Sequence, residues 1–172
     1  MTATIKPGVN ATTAKRKANL RDCGPAVCDL DWLSSERHEA EVDDVMAFTQ
    51  FSLEQGWGDG LPLIPPTESR VRQFLSPNNR YADEVICKLP PTNADCTVEK
   101  IAINAVMAGA PAASLPLIIA SLEALANPDF ELFGLNATTA PVVPLTLVNG
   151  PIRNKLDIPY KHGCLGGAPS TA

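Results

Sequence analysis

The chain has 172 residues, enough for one ordinary domain with a real core, and its 45% hydrophobic content is normal for a globular protein. Its net charge of −5 argues against nucleic acid as the main partner. No apolar run approaches the roughly eighteen residues of a membrane span, and the five cysteines form no recognised metal spacing.

Residues 1–34 carry Lys6, Lys15, Arg16, Lys17 and Arg21, with no acid before Asp22 and no apolar periodicity. They read as a basic arm, disordered or docked on a partner. A cleaved transit peptide shares that bias, but no apolar stretch of a secretory signal follows. Residues 35–172 read as one domain ending in a glycine-rich loop. An odd cysteine count without a secretory signal fits free thiols in a reducing, cytoplasmic compartment.

Val42, Val45, Met46, Thr49 and Leu53 recur at helical spacing and predict a helix over 36–55, with acids in its early turns and Gly56 as its stop. Thr67 caps a short helix through Leu75. Residues 85–89 read as a strand ended by Pro90-Pro91. A third helix starts near Asp95 or Thr97, buries Ile101, Ala102, Ala105 and Val106, and closes at Gly109. Ser114 is placed to cap a fourth, which Asn127-Pro128-Asp129 terminates. Strands are expected over 131–135 and 142–148, the second buried on both faces despite Pro144, and Asn149-Gly150-Pro151 is a turn. Strands separated by helices give an α/β class, with helices layered on a small mixed sheet.

Chemistry concentrates in two runs. Gly56-Trp57-Gly58-Asp59-Gly60-Leu61-Pro62-Leu63-Ile64-Pro65-Pro66-Thr67 packs glycines and prolines around one acid and one indole, the makings of a shaped loop. Asp59 suits a general base or a substrate anchor, although Gly-Asp-Gly is also ordinary turn chemistry. In the second run, Gly163-Cys164-Leu165-Gly166-Gly167, Cys164 lies two residues from His162 and next to the cationic Lys161, a setting that raises thiolate character. Asp59, Cys164 and His162 are therefore the candidate catalytic residues, with Trp57, Asn104, Asn149 and Gly150 as substrate contacts. Asn136, Thr138 and Thr139 also fall near element ends, where caps explain them equally well. A metal held by His162, Cys164 and Asp59 lacks a third ligand of supporting spacing, and no cofactor is indicated. Glu99 and Lys100 read as a solvated pair, and Cys87 and Cys96 as small buried apolar residues.

The Gly56–Pro62 string and Pro65-Pro66-Thr67-Glu68 carry a resemblance, as do the run from Thr97 to Gly109, Leu115-Pro116 through Leu125, and Leu147-Val148-Asn149-Gly150-Pro151-Ile152. They resemble a bacterial family that accompanies, or is fused to, the small "UGSC-motif" proteins, which carry selenocysteine or cysteine. The resemblance covers roughly residues 55–158. It implies sulfur-, selenium- or redox-linked small-molecule metabolism and a second polypeptide that supplies the C-terminal half of the fold. Its members carry a Phe-Gly-Pro-Gly-like string where this chain has Gly163–Gly167. The expectation is a subunit of a heteromeric enzyme, a lyase or hydrolase acting at a carbon–sulfur or carbon–nitrogen bond of a small polar metabolite. The alternative is a non-catalytic subunit that stabilises or recruits a catalytic partner.

Overall fold

The structure, a computed structural model, describes residues 33–35 and 44–160. The first helix, α1 (Val45–Glu54), starts later than its periodicity suggests: Asp44 is in extended backbone, and its carboxylate accepts from the Ala47 amide at 2.8 Å. A side chain used that way ends the helix at this residue, because it satisfies a first-turn N–H that has no intrahelical partner. Gly56, at φ +70°, closes the other end. The Trp57 amide reaches the Ser52 carbonyl at 2.8 Å and the Gly56 amide reaches that of Leu53 at 3.0 Å, the paired bonds of a Schellman motif.

The caps expected at Thr67 and Thr97 are present. Each side chain accepts from an amide three residues on, opening α2 (Glu68–Leu75) and α3 (Val98–Met107). Between these helices β1 (Val85–Leu89) and β2 (Ala94–Thr97) form an antiparallel hairpin across the cis Pro90-Pro91 bond. The expected mixed sheet is thus two antiparallel strands among the described residues, and Asp95 lies in β2. Ile86 is a bulge: Val85 pairs with Thr97 and Cys87 with Cys96, so two steps on β1 oppose one on β2.

A 3₁₀ turn at Ala112–Ser114 leads into α4 (Leu115–Leu125). Ser114 occupies the cap position but its hydroxyl bonds back to the Pro111 carbonyl, so its side chain does not cap. The core fills the space between α2, α3, α4 and the hairpin: Phe74, Leu75, Val98, Ile101, Ala102, Ala105, Leu115 and Ile119 are buried there. All four positions assigned to the buried face of α3 lie in it.

Beyond Asn127-Pro128-Asp129 the chain departs from expectation. Where a strand was expected over 131–135, Glu131 turns left-handed at φ +55° and α5 (Leu132–Ala137) follows. The stretch 142–148 makes no ladder among the described residues and is exposed up to Leu147, with Val143 and Leu147 at 81% and Leu145 at 72%. Pro141 and Pro144 lack the N–H that pairing needs. Gly150, at φ +89°, then introduces α6 (Pro151–Lys155). Mixed α/β composition holds: six α-helices and one small hairpin among the described residues. The expected arm, residues 1–34, lies outside the described residues except for Leu33, which packs against the core, and Ser34.

Candidate functional site

The Trp57–Asp59 loop is a shaped loop, as its composition implies, and three anchors hold it. At its start, the indole of Trp57 stands edge-on to Phe51, ring centroids 5.6 Å apart and planes at 82°, an attractive quadrupolar arrangement. In its middle, the Leu63 amide donates to Thr49 Oγ1 at 3.0 Å, and that hydroxyl donates to the Val45 carbonyl at 2.7 Å. At its end, the Ile64 amide reaches the Met107 carbonyl at 2.9 Å and ties the loop to the last turn of α3. Gly58 admits no side chain without movement, since a Cβ there would lie 3.0 Å from Leu63 Cδ1.

Within this frame Asp59 makes an Asx turn. Its Oδ1 accepts from the Leu61 amide at 3.0 Å, and Gly60 takes φ +101° beside it. Asp59 is exposed, and Trp57 is 44% exposed. The loop therefore leaves one carboxylate and part of one indole accessible to solvent on an anchored backbone.

The other predicted site residues are distributed differently. Asn104, on the outer side of α3, donates to the Lys100 carbonyl at 2.8 Å and lines a cleft of about 490 Å³. That cleft lies between the hairpin, α3 and α4. Its floor is apolar (Leu89, Ile101, Ile118, Leu122, with Cys96), and Asp95, Lys100 and Asn104 stand among its polar lining. Neither Trp57 nor Asp59 lines it. Asn149 and Gly150 precede α6, at the end of the exposed apolar stretch. His162, Cys164 and the run Gly163–Gly167 lie outside the described residues. Among the described residues, Trp57 and Asp59 share one loop, Asn104 faces the cleft, and Asn149 with Gly150 forms a third location.

Electrostatics concentrate on the hairpin. Lys88 Nζ lies 2.6 Å from Asp95 Oδ1 across the strands. The hydrogen bond and charge of Lys88 hold the Asp95 carboxyl below the usual carboxylate range. On the other face Cys87 and Cys96 are directly opposed, and burial, then the neighbouring Cys87, pushes the Cys96 thiol up.

The group that sequence reading missed is Glu99. It is no solvated partner of Lys100: it is 1% exposed, and its carboxylate accepts from the Ser34 amide at 3.0 Å, the Ser34 hydroxyl at 3.1 Å and the Ser35 amide at 3.0 Å. Its two carboxylate oxygens, not helix surface, are what seat residues 34–35 on the domain. A Ser-Ser pair 65 and 64 positions upstream gave no local signal for this.

A second cleft, lined by Phe130, Leu135 and Val142–Leu145, lies under the exposed stretch. Set against known protein families, curated proteins and solved structures, the chain matches none.

Proposed function

We propose that this chain is a subunit of a heteromeric enzyme acting on a small polar metabolite, with a second polypeptide covering its exposed apolar face. The observation that carries this reading is the stretch 142–148. It displays Val142, Val143, Leu145 and Leu147 outside any helix or strand, with Phe133 exposed nearby in sequence, a density of apolar surface that supports a covering partner. The resemblance to the UGSC-associated family supports the same arrangement.

In this reading Trp57 and Asp59 supply a rigid platform for substrate, and Cys164 with His162 supplies the nucleophile or redox thiol and its activator. Asn149 and Gly150, directly after the stretch 142–148, are further substrate contacts. The reaction class is lyase or hydrolase at a carbon–sulfur or carbon–nitrogen bond, in the cytoplasm.

The mass of the protein purified at native expression level from its own cells tests this. A complex containing a second polypeptide supports it; a stable monomer of 18.3 kDa overturns it. One observation favours the non-catalytic alternative: the Asp59 carboxylate is engaged within its own turn. Asp59→Asn and Cys164→Ser in the assembled complex separate the two readings. Lost turnover supports the shared site, and near-wild-type turnover in both variants supports the scaffold.

A further inference from the structure

Cys87 and Cys96 occupy directly opposed positions of the hairpin ladder, on the same face of the two strands. Residues opposed in this way hold their Cβ atoms about 4.5–5.5 Å apart, against about 3.5–4.5 Å in a disulfide. Closure therefore asks for a movement of about 1 Å. The bulge at Ile86 lies immediately beside Cys87 and interrupts the ladder there, so β1 can make that movement without breaking regular pairing on both sides. The two thiols also differ in access. Cys87 is half-buried, whereas Cys96 is buried at 8% exposure and forms part of the lining of the apolar cleft with Leu89, Ile118 and Leu122.

We propose that Cys87 and Cys96 form a thiol–disulfide exchange site, with Cys87 as the attacking thiol, Cys96 as the resolving thiol and a small-molecule disulfide as the oxidant. The Cys87 thiolate, its proton lost to solvent, attacks one sulfur of R–S–S–R. The S–S bond breaks, one thiolate leaves, and a mixed disulfide remains on Cys87. That leaving thiolate takes the Cys96 proton. Cys96 then attacks Cys87 Sγ, displaces the second thiolate and forms the intrachain bond. In sum, two protein thiols and one small disulfide give one protein disulfide and two small thiols. The site is separate from the Trp57–Asp59 loop and needs no partner chain.

This order follows from access, and the buried state of Cys96 agrees with it. Cys87 is half-buried and Cys96 buried, and burial also pushes the Cys96 thiol up, so the group that meets an outside disulfide first is Cys87. Once the mixed disulfide exists, Cys96 is its nearest neighbour and the reaction becomes intramolecular.

The test equilibrates the full chain in glutathione and glutathione disulfide, quenches with acid, alkylates free thiols and maps tryptic peptides. Cleavage after Arg80, Lys88 and Lys100 puts Cys87 in peptide 81–88 and Cys96 in peptide 89–100. The wild-type chain is expected to give these two peptides joined and two hydrogens lighter. Cys96→Ser, with unchanged circular dichroism, is expected to lose the joined species and accumulate glutathione on Cys87. Cys87→Ser is expected to leave Cys96 reduced. Glutathione retained on Cys87 of the wild type without joining overturns the proposal, as does pairing of Cys96 with Cys23, Cys28 or Cys164. Modification of Cys96 in Cys87→Ser at the wild-type rate overturns the assigned order.

Discussion

Glu99 shows how much one buried carboxylate can organise. Hydrogen bonds to a charged group contribute about 1.5–3 kcal/mol, and here three donors converge on one side chain. Glu99→Ala is expected to cost about 2–4 kcal/mol, read as a lower urea midpoint at nearly unchanged slope. The upper end is not reached through Ser34, which is exposed and can turn its freed amide to water. Glu99→Gln keeps one accepting oxygen and loses less. Cys96 is the second residue whose burial has a measurable consequence. Its folded-state thiol pKa is raised, so folding favours the protonated form. Its contribution is complete below the ordinary thiol pKa and falls away as pH rises through the raised one. Under strongly reducing conditions the wild type should lose stability over that alkaline window, and Cys96→Ala should flatten the slope. Asp95 has the opposite sign, since its carboxyl is lowered, so its contribution is present above the ordinary carboxylate pKa and lost as pH falls through the lowered one. Exposure keeps that effect small.

At the scale of elements, the caps carry the clearest expectation. Thr97 ends β2 and opens α3, the helix on which the core is built, and its Oγ1 accepts from the Lys100 amide at 3.3 Å. Thr97→Ala is expected to cost about 1 kcal/mol, as is Thr67→Ala at α2, both measured by thermal or urea unfolding. These boundaries were legible in the sequence because a cap is local: one hydroxyl and one amide three residues away. Gly56 and Gly109 were legible for the same reason, each sitting at positive φ after a helix. What was not legible depends on distant pairing. The β2 sequence Ala-Asp-Cys-Thr has no strong apolar alternation and becomes a strand through β1. Conversely, 142–148 has the β-branched and leucine content of a strand, but no described strand pairs with it. A propensity for extended backbone is not a ladder. The loop carrying Trp57 and Asp59 was read from composition alone, while the cleft at Cys96 and Asn104 needed three elements to converge and left no contiguous trace.

For the whole molecule, the decisive asymmetry lies between a well-packed core and an apolar stretch left outside it. Leu115 is fully buried and Leu147 is 81% exposed, although both are ordinary leucines in the same short chain. Leu115→Ala is expected to cost about 2–5 kcal/mol, because it leaves a cavity between helices that cannot collapse freely. The joint substitution Val143→Asp with Leu147→Asp should behave in the reverse way. Neither side chain contributes to the core, so the thermal midpoint of the isolated chain should move by less than the equivalent of about 0.5 kcal/mol. The same two carboxylates placed in a desolvated protein interface would each be buried without a partner, a cost of several kcal/mol. The variant should therefore fold as the wild type does and fail to assemble, which parallel unfolding curves and native masses of the two proteins would reveal. If both proteins instead elute with the same larger mass, the covered face lies elsewhere on the molecule. If the double variant unfolds at a markedly lower temperature, the stretch stabilises its own domain and its exposure has another cause.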